Sequence, residues 1–170
     1  EQVILLSDIL PTAYMAAENT FPQKEDEIAV FGCGIVGQLA ILSLKKMGVK
    51  KIFAIDNVPY RLEIAKKQGA HTINFDEVNP VKELKKLTEN RGPNKIIDAV
   101  GIDAEHPSGV AQWFKELVGK TNFKEEVDKV APKQNPQGDN WVPGDGPSQV
   151  LRWAVEAVAK AGVISIIGVY

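Results

Sequence analysis

The chain has 170 residues, 44% of them hydrophobic and 25% charged, and carries a formal net charge of −2. That length points to one domain that can bury a core without disulfides or structural metal. The charge balance gives no basic surface for nucleic acid, and no run approaches the ~18 consecutive apolar residues of a membrane span, so neither nucleic acid nor a membrane is an expected partner. The single cysteine, Cys33, excludes an internal disulfide. This fits a reducing compartment, and the expected location is cytoplasmic. Glu1 to Ser7 lack the basic start and cleavage site of a signal peptide. The chain opens without Met and closes on the apolar run from Val163, so both ends read as cuts from a longer protein.

In chain order, residues 1–22 read as a helical lead-in. Pro11 suits the start of a helix over Thr12 to Glu18. Glu27 to Phe31 is a short apolar run, typical of a strand buried on both faces. A glycine turn follows, then a helix over Gln38 to Met47, stopped by Gly48. Lys51 to Ile55 is a second strand, and Pro59 to Gln68 a helix with Leu62, Ile64 and Ala65 inward. Thr72 to Phe75 is a third strand, Val81 to Thr88 a helix, and Lys95 to Val100 a fourth strand. Residues 102–147 form an irregular insertion rich in Pro and Gly, with helical stretches at Gly109 to Val118 and Lys124 to Val130. Ser148 to Lys160 is a strong helix whose apolar face is Val150, Leu151, Ala154, Val155 and Val158. Val163 to Ile167 is a fifth strand.

Strands alternating with helices imply parallel pairing and right-handed crossovers. The expected fold is α/β, a doubly wound parallel sheet of about five strands in the order 3-2-1-4-5, with the insertion after the fourth strand. A sixth strand, normal in dinucleotide-binding sheets, has no sequence after Tyr170 to form it.

The chemical signal is Gly32-Cys33-Gly34-Ile35-Val36-Gly37, a G-x-G-x-x-G between a buried strand and an apolar helix. Gly32 permits a tight turn, Gly34 lets a diphosphate reach the backbone, and Gly37 lets the helix pack close to the sheet. Free N–H groups at the helix start attract phosphate. Asp56, at the end of the second strand, suits both ribose hydroxyls and would repel a 2′-phosphate, which favours NAD over NADP. Asn57 beside it is neutral. Arg61, one turn further on, can stack near adenine or reach a hydroxyl. Against these stand plainer roles: Asp56 as a helix cap, Arg61 as a surface residue, Cys33 as a small filler.

The sequence carries no catalytic constellation. Cys33, His71 and His106 cannot converge on a metal, and Ser7 and Ser148 have no His–Asp relay. The expectation is a domain that binds cofactor and does no chemistry alone. Two other readings stay open: an S-adenosylmethionine-binding methyltransferase fold, and a non-catalytic domain that senses the NAD redox state.

Several stretches resemble the zinc-containing medium-chain alcohol dehydrogenases. They are Leu5 to Tyr14, Val30 to Gln38, Asp56 to Ala65 with Gly69-Ala70, Asp98-Ala99-Val100-Gly101, and Val163 to Gly168. The resemblance implies NAD as cofactor, with zinc held only in a catalytic domain absent from this chain, a small-molecule substrate, and a homo-oligomer. It places Gly32, Gly34, Ile35 and Val36 at the diphosphate and Asp56 and Arg61 at the adenosine. Val100 and Gly101 would line the adenine–ribose cleft, Gly168 and Val169 would meet the nicotinamide, and Thr12 would approach it. The insertion resembles the glutathione-independent formaldehyde dehydrogenase and dismutase branch. Trp113, Phe114 and Trp141 would there cover the adenine, or merely pack the insertion.

Overall fold

A computed structural model of the chain describes residues 3–101 and 149–169. The expected helices within 102–147, together with His106, Trp113, Phe114 and Trp141, lie outside the described residues. Five strands, β1 (Glu27–Phe31), β2 (Lys51–Asp56), β3 (His71–Asn74), β4 (Lys95–Asp98) and β5 (Val163–Ile166), pair in parallel in the order β3-β2-β1-β4-β5. The described helices are α1 (Ile9–Glu18), α2 (Ile35–Lys46), α3 (Pro59–Lys67), α4 (Pro80–Leu87) and α5 (Gln149–Ala157), and a 3-10 turn at Ile4–Leu6 precedes α1. This is the α/β sheet order read from the alternation of strand and helix patterns.

Side chains alternate across the strands and build two cores. Ile28, Val30, Ile52, Ala54 and Ile97 pack with α1, α2 and α3 on one face. Ala29, Phe31, Phe53, Ile55 and Ile96 pack with α4 and α5 on the other. Every residue of β1 is buried, as a central parallel strand covered on both faces requires. α1 lies against α2 through Ala13, Ala16 and Ala17, whose small side chains are fully enclosed.

Several boundaries and faces differ from the sequence reading. α2 starts at Ile35 rather than Gln38 and contains Gly37. Glycine lowers helix propensity, so the pattern pointed to a later start, but close packing needs it there. α1 starts at Ile9 with Pro11 in its first turn, where a missing N–H costs no helical bond. β4 stops at Asp98, whose Oδ1 accepts the Val100 N–H at 3.0 Å and turns the chain. In α5 the buried face is Val150, Trp153, Ala154 and Ala157, a spacing of three and four residues, whereas Val155 is exposed. Ile64 in α3, expected inward, likewise faces outward, while Leu62 and Ala65 are buried.

Candidate functional site

The C-terminal end of β1 runs directly into the glycine turn. Gly32 has φ +84°, a conformation that side chains disfavour, and its N–H donates to the Ile55 carbonyl on β2 at 2.9 Å. The turn then enters α2 with Gly37 facing back onto it. Among the described residues a β-carbon added to Gly34 would meet nothing within 4 Å, so they leave the outer side of the turn open. Among the described residues no group accepts from the N–H of Gly34, Ile35 or Val36. Ile35 is exposed and Val36 half-buried. Three unpaired donors at the positive end of a 12-residue helix form a ready anion site.

Asp56 ends β2 beside this turn. Its side chain is buried, and every hydrogen bond found for it comes from backbone. Oδ2 accepts the Cys33 N–H at 2.7 Å; Oδ1 accepts the N–H groups of Asn57 and Val58, both at 2.8 Å. These bonds hold the chain ahead of α3, but α3 has Val58 at its N-cap and no side-chain cap bond, so the plainer role expected of Asp56 as a helix cap is not met. A carboxylate offers about four lone-pair positions, so acceptor capacity remains on the cleft side. Arg61 Nη1 lies 3.8 Å from Asp56 Oδ2, and its guanidinium sits over the Tyr60 ring, 5.9 Å from the centroid.

Between the ends of β1, β2 and β4 opens a cleft of about 460 Å³. Gly32, Gly34, Asp56, Asn57 and Arg61 form its polar side. Ala99 and Val100 form the β4 side. The opposite wall is apolar and aromatic: Phe31, Phe75, Val150 and Trp153. The Trp153 ring stands 5.5 Å from Phe75 and 6.3 Å from Phe31, centroid to centroid. Sequence reasoning missed Phe75 and Trp153. The available signal was the position of Trp153, three residues after Val150 on one helical face.

Not every expected residue joins this cleft. Gly101, Gly168 and Val169 meet one another where β4 and β5 end. A β-carbon on Gly101 would fall 2.4 Å from the Val169 nitrogen, and one on Gly168 would fall 2.2 Å from the Gly101 nitrogen. The Gly168 N–H donates to the Asp98 carbonyl at 3.0 Å. Thr12 bonds back to the residue just before α1, its hydroxyl donating to Asp8 Oδ1 at 3.0 Å. Cys33 is buried, its thiol directed at the Ile55 carbonyl. Burial, then the nearby Asp56 carboxylate, push the thiol pKa far up, which suits a filler and not a nucleophile. His71 starts the edge strand β3 and meets the Phe53 ring edge-on. Among the described residues no group of three His, Cys, Asp or Glu is placed to hold a metal.

A parallel sheet of this order, with a glycine turn entering a helix and a crevice at the switch point between β1 and β4, defines a Rossmann-type dinucleotide-binding domain. Residues 36–130 match the family described as zinc-binding dehydrogenase. The chain belongs to that family. It is 31% identical over 172 aligned positions to the zinc-type alcohol dehydrogenase-like protein AdhB of Bacillus subtilis, covering 100% of this chain and 39% of that protein. Zinc-type alcohol dehydrogenase B of Aspergillus flavus is 37% identical over 108 positions, 59% of this chain and 25% of that one. The structure of the alcohol dehydrogenase TADH from Thermus sp. ATN1 superposes with a TM-score of 0.69 at 30% identity, covering 99% of this chain and 36% of that one. The chain thus spans between a quarter and two fifths of the length of these relatives.

Proposed function

We propose that the chain is the NAD-binding domain of a zinc-dependent alcohol or aldehyde dehydrogenase. Residues 1–22 are its lead-in and 102–147 an insertion. The observation that carries the reading is the hydrogen bond from the Cys33 N–H to Asp56 Oδ2. It sets a carboxylate with spare acceptor capacity beside a turn with free N–H groups and open space at Gly34. The amides of Gly34, Ile35 and Val36 hold the diphosphate, with Gly32 and Gly37 shaping the turn. Asp56 takes the adenosine ribose, with Asn57 and Arg61 beside it. Val100 lines the base cleft. Gly101, Gly168 and Val169 form the strand ends nearest the nicotinamide.

NAD, when bound, supplies the hydride-accepting ring; this chain's part is to hold and orient it. Zinc belongs to a separate catalytic portion of the whole enzyme, where it polarises a small alcohol or aldehyde substrate. The resemblance of the insertion favours a formaldehyde-type substrate. A cytoplasmic homo-oligomer completes the proposal.

Titration with NADH, followed by its fluorescence, tests the reading against S-adenosylmethionine. Saturable binding of NADH alone is expected. Binding of S-adenosylmethionine in its place would return the methyltransferase reading. NADH binding by a protein that shows no dehydrogenase activity in its full-length form would favour the redox-sensing one.

A further inference from the structure

The two peptide units that flank Cys33 are each fixed by a side chain. Its N–H donates to Asp56 Oδ2. Its carbonyl accepts from Gln38 Nε2 at 3.0 Å, and among the described residues nothing else donates to that carbonyl. The same Gln38 nitrogen donates to the Arg61 carbonyl at 2.8 Å, tying the glycine turn to α3. Gln38 Oε1 in turn accepts from Gln68 Nε2 at 2.7 Å. Among the described residues Gln68 Oε1 is buried without a partner, so this amide pair is kept despite an unsatisfied acceptor.

The consequence follows from peptide geometry. In a trans peptide the C=O and N–H lie in one plane and point in opposite directions. The chain has no cis bond among the described residues. The carbonyl of Cys33 and the N–H of Gly34 belong to one such unit. Anchoring the carbonyl on Gln38 therefore aims the Gly34 N–H the other way, toward the open face of the turn. It also keeps a carbonyl oxygen from swinging toward an approaching anion.

We propose that Gln38 is a positioning residue for diphosphate recognition: its side-chain amide sets the orientation of the Gly34 N–H and fixes the turn relative to the helix that carries Arg61. The inference rests on the cofactor reading above. α3 keeps its own backbone bonds without Gln38, including Arg61 N–H to the Val58 carbonyl at 3.1 Å. The adenosine end therefore stays formed when the amide is lost, and the defect is specific to ligands that carry a diphosphate.

The test is calorimetric titration of wild type, Gln38→Leu and Gln68→Met with NADH, ADP and adenosine. Gln38→Leu is expected to weaken NADH and ADP about tenfold and to leave adenosine unchanged; each tenfold step is about 1.4 kcal/mol. Gln68→Met, which removes only the outer amide, is expected to act in the same direction and more weakly, and it serves if Gln38→Leu does not fold. An equal loss for all three ligands, or no loss for any, overturns the proposal. Failure of wild type to bind NADH and ADP defeats the cofactor reading itself. Wild-type binding with unaltered variants defeats the inference alone.

Discussion

A β-carbon placed on Gly37 falls 1.9 Å from the carbonyl oxygen of Gly32, whereas one placed on Gly34, three residues earlier, meets none of the described residues within 4 Å. The two glycines therefore separate folding from binding. Gly37→Ala collides with backbone that no side-chain rotation can clear. It is expected to cost about 1–3 kcal/mol, the usual range for forced overpacking, and to push α2 off the turn. Gly34→Ala is expected to leave the midpoint of urea unfolding close to wild type while weakening NADH at least tenfold, about 1.4 kcal/mol. Denaturation and NADH titration on the same two variants check this. Full NADH affinity in Gly34→Ala would show that the diphosphate does not approach there.

Asp56 has two duties, and one substitution exposes both. Asp56→Ala removes the acceptor for the Cys33, Asn57 and Val58 N–H groups, so a stability loss is expected; hydrogen bonds to charged groups are worth about 1.5–3 kcal/mol each. It also removes the charge that would repel a 2′-phosphate and leaves Arg61 in place. NAD affinity should fall while NADP affinity rises or holds, which narrows the ratio of the two dissociation constants. Parallel titrations with NADH and NADPH measure that ratio. An unchanged ratio would remove Asp56 from cofactor selection.

The parts of this fold legible in sequence were those set by local pattern. Glu27 to Phe31 announced a central strand because all five residues are buried. Gly32 to Gly37 announced the turn because backbone conformation and close approach demand glycine there. Helix faces were read less well where small residues carry the packing: Ala157 is buried while the larger Val155 is exposed. The aromatic wall of the cleft and the Gln38–Gln68 pair were not legible. Phe75 and Trp153 lie far apart in the chain, as do Gln38 and Gln68. Their meeting depends on helix rotation and sheet order, which periodicity leaves undetermined.

Cys33 is expected to make stability fall in alkaline solution. Burial and then the Asp56 carboxylate hold the folded thiol protonated far above its ordinary range. The unfolded thiol ionises near pH ~8.5. Below that pH both states keep the proton and the group adds no pH dependence. Above it the unfolded state releases a proton that the folded state retains, so unfolding is favoured by up to about 1.4 kcal/mol per pH unit. Urea unfolding of wild type and Cys33→Ala between pH 7.5 and 10 isolates this contribution. The wild type should show the steeper decline. Parallel declines would mean that the thiol ionises equally in both states.

β5 bonds to β4 on one side, and among the described residues nothing pairs with its other edge. An open strand edge presents unpaired N–H and C=O groups, a template for another strand. Ile166 on this strand is 52% exposed, and Val169 just beyond it 70%. Apolar side chains beside an open edge make pairing with a second copy favourable, because association both completes backbone hydrogen bonds and removes apolar surface from water. The protein is therefore expected to associate through this edge. Ile166→Lys should oppose it, since a charge at the edge blocks strand addition. Sedimentation velocity across a concentration series would show a dimer or larger species in wild type and a shift toward monomer in Ile166→Lys. A wild-type protein that stays monomeric at the highest concentration would refute edge pairing. An assembly unaffected by Ile166→Lys would place the interface elsewhere.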